Sequence, residues 1–236
     1  MAPKYVALMA SLPPIGPLFE TNQTPISRLR LEGRLALLDA ADTATLKAIT
    51  GVITWAEQPP ERSDPEFLAA ADALMAQLRD PQLRRIVAHR LELRTVVVAL
   101  RRRHRGETAP PEGSPWGWGQ WVQPIERHWS DPLFRLGAAL PWLAQARDLL
   151  EGGDAVGLER LQFTLTWRML DSLSAGHSFD FLAVVVYLMR WSMVARWSCY
   201  QVEAAQTRFD ALVEKALQSL APPTASASPL AAAIWS

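Results

Sequence analysis

The chain has 236 residues in which Lys+Arg 24 balance Asp+Glu 24, with a sequence pI near 6.9. That length can bury a substantial core as one large or two small helical domains, and zero net charge removes any whole-chain electrostatic reason to expect nucleic acid or an anionic membrane. A single cysteine rules out an internal disulfide and a Cys-based zinc cluster, which suits a reducing cytoplasm.

At the N-terminus, Tyr5-Val6-Ala7-Leu8 leans towards β and is closed by Pro13-Pro14. It is either a short extended element paired with a later loop or a poor helix. The same prolines cut off the apolar run before any cleavage site, so no signal peptide is expected. Thr24-Pro25 then reads as cap and first turn of a helix to Leu38. Asp42 is the expected cap of the next, with Leu46, Ile49, Val52, Ile53 and Trp55 buried and Pro59-Pro60 as its end. Asp64-Pro65 opens a third carrying Phe67, Leu68, Ala71, Leu74, Met75 and Leu78.

Residues 80–105 form the stretch that organises the rest. Asp80 and Pro81 mark a helix start, and stepping ~100° per residue gathers Leu83, Ile86, Val87, Val97 and Val98 on one face. Arg90, Arg94 and Arg101 fall in the middle of that face. A guanidinium among core side chains is costly unless a carboxylate or carbonyl meets it, so this helix should dock through charge-paired contacts. The run from Arg101 to Arg105 is the one dense basic cluster, and it complements a helix C-terminus or meets acidic groups of a partner.

The segment 106–119 collects Gly, Pro, Glu and Ser around Trp116 and Trp118 and reads as the largest loop. Its tryptophans either offer a binding surface or, with Trp121, pin the loop down. A short helix over 120–129 follows. Asp131-Pro132 should cap a turn through Leu136, Pro141 begins a helix to Leu150, and Asp154 caps a helix over 155–173 with apolar residues on two faces. Two such faces place that helix centrally. Gly176 stops it, and Ser178 with Asp180 begins the longest helix, to about Leu220.

In that last helix Phe181, Val185, Leu188, Ser192, Ala195 and Cys199 begin a seam of period 3.5 that suits lengthwise packing. Cys199 is expected to be buried. No segment reaches the ~18–20 uninterrupted apolar residues of a membrane span. The tail 221–236, rich in Pro, Ala, Ser and Thr, is expected to be disordered.

No phosphate-cradling glycine motif, metal-ligand spacing or catalytic constellation is present. His89, His104, His128 and His177 are scattered, and His177, Ser178 and Asp180 make better helix-start residues than a triad. The expectation is an all-α, non-catalytic protein with no cofactor and no metal. Its multi-helix bundle should have two long helices and fill 1–220 as a single domain, with sub-modules 1–105 and 120–220 joined by the 106–119 loop.

The run His89-Arg90-Leu91-Glu92-Leu93-Arg94 through Leu100-Arg101-Arg102-Arg103 resembles the Leu-Arg-x-Arg helix of V-type ATPase C/d subunits. It is more similar still to small proteins encoded within bacterial V-type ATPase operons. Lys4-Tyr5 through Ser11-Leu12-Pro13 is similar to that group's start, and Pro124-Ile125, Pro141-Trp142, Trp167 and 178–197 follow in the same order. Two departures stand out: Arg94 replaces the usual Asn, and the chain is shorter than a full C subunit.

The resemblance implies a non-catalytic, cytoplasmic, C/d-like central-stalk part, peripheral to the inner membrane, whose partners are the rotor shaft and the membrane rotor ring. Alternatives are an assembly or regulatory factor of that complex, or an unrelated helical module binding a small molecule or protein. Arg90, Arg94 and Arg101 are the candidates for paired docking. Arg102, Arg103 and Arg105 are candidates for partner contact, and Glu92, Tyr187, Arg190, Trp191, Arg196 and Trp197 complete the set of expected contact residues.

Overall fold

A computed structural model describes residues 4–21, 23–54, 63–110 and 113–220, with 201–220 as helical backbone only. Trp55, Pro59-Pro60 and the 221–236 tail lie outside the described residues. Among the described residues every regular element is helical: α1 (Val6–Ser11), α2 (Arg28–Leu35), α3 (Ala40–Ile53), α4 (Asp64–Gln77), α5 (Pro81–His104), α6 (Val122–Arg127), α7 (Leu143–Glu151), α8 (Ala155–Ser174) and α9 (Phe181–Leu220).

The extended reading of the N-terminus is corrected. α1 is a single turn and a half, anchored where the Tyr5 amide donates to the Phe179 carbonyl at 2.7 Å, just ahead of α9. The second helix also starts later than Thr24-Pro25. Tyr187 donates to the Pro13 carbonyl at 3.0 Å and the Trp191 indole to the Ile26 carbonyl at 2.8 Å, so residues 13–21 and 23–26 are held irregular along α9. Ser27 then caps α2.

Cap positions shift by small amounts elsewhere for the same local reason, a better oxygen one to three residues upstream. Asp39, not Asp42, accepts the first-turn amide of α3. At α4 it is Ser63 with Glu66 that closes a reciprocal capping box. The predicted caps Asp80 on α5 and Asp154 on α8 are in place.

Two cores divide the described residues, and α5 belongs to both. Leu83, Ile86, Val87 and Leu91 pack with α1 to α4, α9 and Phe163, Leu170 and Leu173 of α8. Leu93, Val96, Val97, Ala99 and Leu100 pack with Trp116, Ile125, Trp129, Phe134, Leu143 and Leu158. The helix is therefore buried nearly all round between 91 and 100. As its two apolar faces require, α8 packs against α5, α7 and α9.

α8 and α9 run antiparallel, with Arg190 against Asp171 and Arg196 against Glu159. The 40 residues of α9 rise about 60 Å at ~1.5 Å each. Its expected seam is corrected over the described half except at Val185, which is buried: Phe181, Leu188, Ser192 and Ala195 are half-buried and Cys199 is exposed, while Leu182, Val184, Val186, Met189, Met193, Val194 and Trp197 make up the buried face. The helix meets α8 and the N-terminal segment at once, so the broad bundle face replaces a narrow period-3.5 stripe.

Candidate functional site

The arginine stripe of α5 is resolved by geometry into three kinds of contact. Arg90 is half-buried: it donates to Thr166 Oγ1 at 3.1 Å and to the Ile53 carbonyl at 3.4 Å, tying α5 to α8 and α3. Burial pushes its pKa down to about 10, with the charge of Glu159 acting in the opposite direction, so it remains a cation at neutral pH.

Arg94 and Arg102, two turns apart, share one carboxylate. Arg94 Nη2 donates to Asp64 Oδ1 at 2.8 Å and Arg102 Nη2 to Asp64 Oδ2 at 3.0 Å, so both oxygens of the first residue of α4 are used. Arg94 also stacks 4.1 Å from the Phe67 ring centre, and Arg102 Nη1 reaches Glu107 at 3.0 Å.

Arg103 donates to the Asp131 carbonyl and lies 5.2 Å from the Phe134 ring. That turn is unusual, since Phe134 and Arg135 both have positive φ, 51° and 55°. The Asp131 carboxylate accepts the amides of Leu133 and Arg135, which hold its pKa low and hold the turn in place.

Arg105 pairs with Glu107 at the surface. Arg101 is the exposed member of the stripe and has no hydrogen bond or ion pair among the described residues. The remaining contact residues are engaged within the chain. Arg190 pairs with Asp171 and lies over Trp167 at 5.2 Å; Arg196 meets Glu159 at 3.1 Å and Tyr200 at 2.9 Å. Trp197 is buried edge-on to Phe19 at 5.0 Å. Burial raises the Tyr187 pKa.

The tryptophan loop is pinned. Trp116 donates to Glu126 at 2.9 Å and Trp118 to Asp72 at 2.8 Å, while Thr95 Oγ1 donates to the Trp118 carbonyl and accepts its amide. A Cβ on Gly117 would lie 2.7 Å from Thr95 Cγ2, and one on Gly119 2.7 Å from Glu92 Cγ. Glu92 thus packs beneath the loop, and only glycine lets the chain come so close to α5.

Between α2, α3, α5, α8 and α9 lies an open cleft of about 1130 Å³. Arg90, Arg94 and Arg101 line it from α5, Trp191 and Arg196 from α9, and Arg28 and Lys47 from α2 and α3. Its acidic residues among those described are Glu32 and Glu159, and each is already matched, Glu32 by Arg28 at 2.9 Å and Glu159 by Arg196 at 3.1 Å. Leu35, Leu46, Val98, Leu188, Met189 and Met193 supply apolar wall.

The cleft brings together five of the expected residues from two distant parts of the chain, and sequence reasoning did not anticipate it. Lys47, Glu159, Gln162 and Thr166 were missed. The available signal was the polar pair Gln162 and Thr166, one helical turn apart in the otherwise apolar buried face of α8 and both buried.

Comparison with known proteins returned no matching family profile, no matching curated protein and no matching solved structure. Among the described residues, no helix is long and apolar enough to cross a membrane.

Proposed function

We propose that the chain is a non-catalytic component of a V-type rotary ATPase or ATP synthase, a C/d-like central-stalk part that links the rotor shaft to the membrane rotor ring. It works on the cytoplasmic side, peripheral to the inner membrane through the complex. The sequence motifs of α5, the N-terminus and α9 support the reading. On the physical side it is carried by one observation: α5 is common to both cores and its guanidiniums tie it to α3, α4, α8 and the 131–135 turn. A part that passes torque must resist relative motion of its helices, and close-packed cores cross-tied by charged hydrogen bonds do so. The outward cations Arg101 and Arg105 are the docking residues this reading assigns to a partner.

The test is affinity purification of the tagged chain from its own cells, with quantitative mass spectrometry of what accompanies it. Rotary subunits recovered at one copy of the chain per enzyme support a stalk subunit, and substoichiometric recovery identifies an assembly or regulatory factor. Recovery without any rotary subunit overturns the proposal. A second reading, a helical ligand-binding module, is favoured by the cleft, whose mixed apolar and polar lining is that of small-molecule sites.

A further inference from the structure

The cleft has two properties that together restrict what fills it. The first is charge. Among the described residues, Arg28, Lys47, Arg90, Arg94, Arg101 and Arg196 face it against Glu32 and Glu159, in a chain whose formal net charge is zero. Both acids are consumed by Arg28 and Arg196. Asp64, which holds Arg94, is not part of the wall. Lys47 and Arg101 are exposed and have no acidic partner among the described residues. The described wall therefore keeps a surplus of positive charge, and a concave low-dielectric surface focuses it.

The second property is apolarity over a large volume. A bare inorganic anion needs little more room than a water, and about 1130 Å³ is the share of liquid held by some 38 waters at ~30 Å³ each. The half-buried side chains of Leu35, Val98, Leu188 and Trp191 form much of the apolar surface those waters would touch. Water against such a wall is replaced favourably by hydrocarbon.

We infer that this cleft binds an amphipathic organic anion, one carboxylate or phosphate head joined to an extended apolar body. The head sits at the Arg101 end, and the body lies inward against Val98 and Leu188. On α5, Arg101 and Arg94 flank Val98 at helical spacings of three and four, so all three share one surface. The inference stands on the cleft alone and holds whether or not the chain belongs to a rotary enzyme.

The experiment is calorimetric titration of the purified full-length chain with dodecanoate below its micellar concentration, beside dodecanol, acetate and inorganic phosphate. Dodecanoate is expected to bind at one per chain and at least tenfold more tightly than each of the other three. Arg101→Glu should weaken it at least tenfold, and Arg101→Lys should leave it within about threefold. Val98→Glu, which places a carboxylate between Arg94 and Arg101, should abolish it, with circular dichroism and Tm showing that each variant is folded.

Dodecanol binding as tightly would make the site merely apolar, and phosphate or acetate binding as tightly would make it merely an anion site. Either result, or no binding of dodecanoate, overturns the inference. So does binding that survives both Arg101→Glu and Val98→Glu. The titration contains no rotary subunit, so its failure is separate from failure of the co-purification.

Discussion

Asp64 is the residue on which the arginine helix turns. Its two oxygens hold Arg94 and Arg102, whose side chains are 20% and 19% exposed, so neither is a solvated surface pair. Asp64→Asn should lower unfolding free energy by about 1–3 kcal/mol, the range for losing the charged partner of a half-buried group. In denaturant titrations Arg102→Met should then cost measurably less in the Asp64→Asn background than alone, because the two arginines share one acceptor. Equal costs in both backgrounds would show that the bridge contributes nothing.

His89 makes a second residue-scale prediction. It is largely buried with Nε2 unpartnered, and burial, then the charge of Arg90, bring its pKa from 6.5 down to about 4. Below pH 6.5 the unfolded chain takes up a proton that the folded chain refuses, so stability falls with pH and the full loss is reached near pH 4. Between pH 7 and pH 5 this amounts to something on the order of 2 kcal/mol. Replacing His89 by leucine should flatten that slope in urea titrations at the two pH values. A slope unchanged in the variant would locate the acid sensitivity elsewhere.

At the scale of the element, most helices were legible because their apolar periodicity and cap residues lie within a few positions of one another. The charge-bearing face of α5 was legible for the same reason. What lay beyond the sequence was the identity of each partner, since Arg94 finds Asp64 at a separation of 30 residues and Arg90 finds Thr166 at 76. Nothing local encodes such pairings.

The seam of α9 failed differently. Several apolar phases coexist in 181–200, and only the neighbours, α8 and residues 13–21 and 23–26, select which is buried. The loop over α5 gives this scale its test. Gly117→Ala should destabilise by about 1–3 kcal/mol, the cost of forcing a methyl into filled space beside Thr95. Gly33→Ala in α2, where a Cβ meets nothing within 4 Å, should stabilise by about 0.5–1 kcal/mol. Thermal melts of both read the contrast, and a Gly117→Ala chain as stable as the parent would mean the loop is not seated on α5.

For the whole molecule, the feature that no local pattern discloses is that two cores share a helix and leave a cation-lined cleft beside it. Its walls come from residues between 28 and 200, so it exists only once five helices have assembled. A docking role depends on the outward charges of α5 more than on any buried pair, because buried pairs support a fold whatever it does. Recovery of rotary-ATPase subunits on the tagged chain, measured for the parent and for the Arg101→Glu, Arg105→Glu double variant, tests that role most directly. The parent is predicted to retrieve the rotary subunits and the variant, folded with an unchanged Tm, to retrieve at least tenfold less; equal recovery by the two chains, or none by the parent, would contradict it.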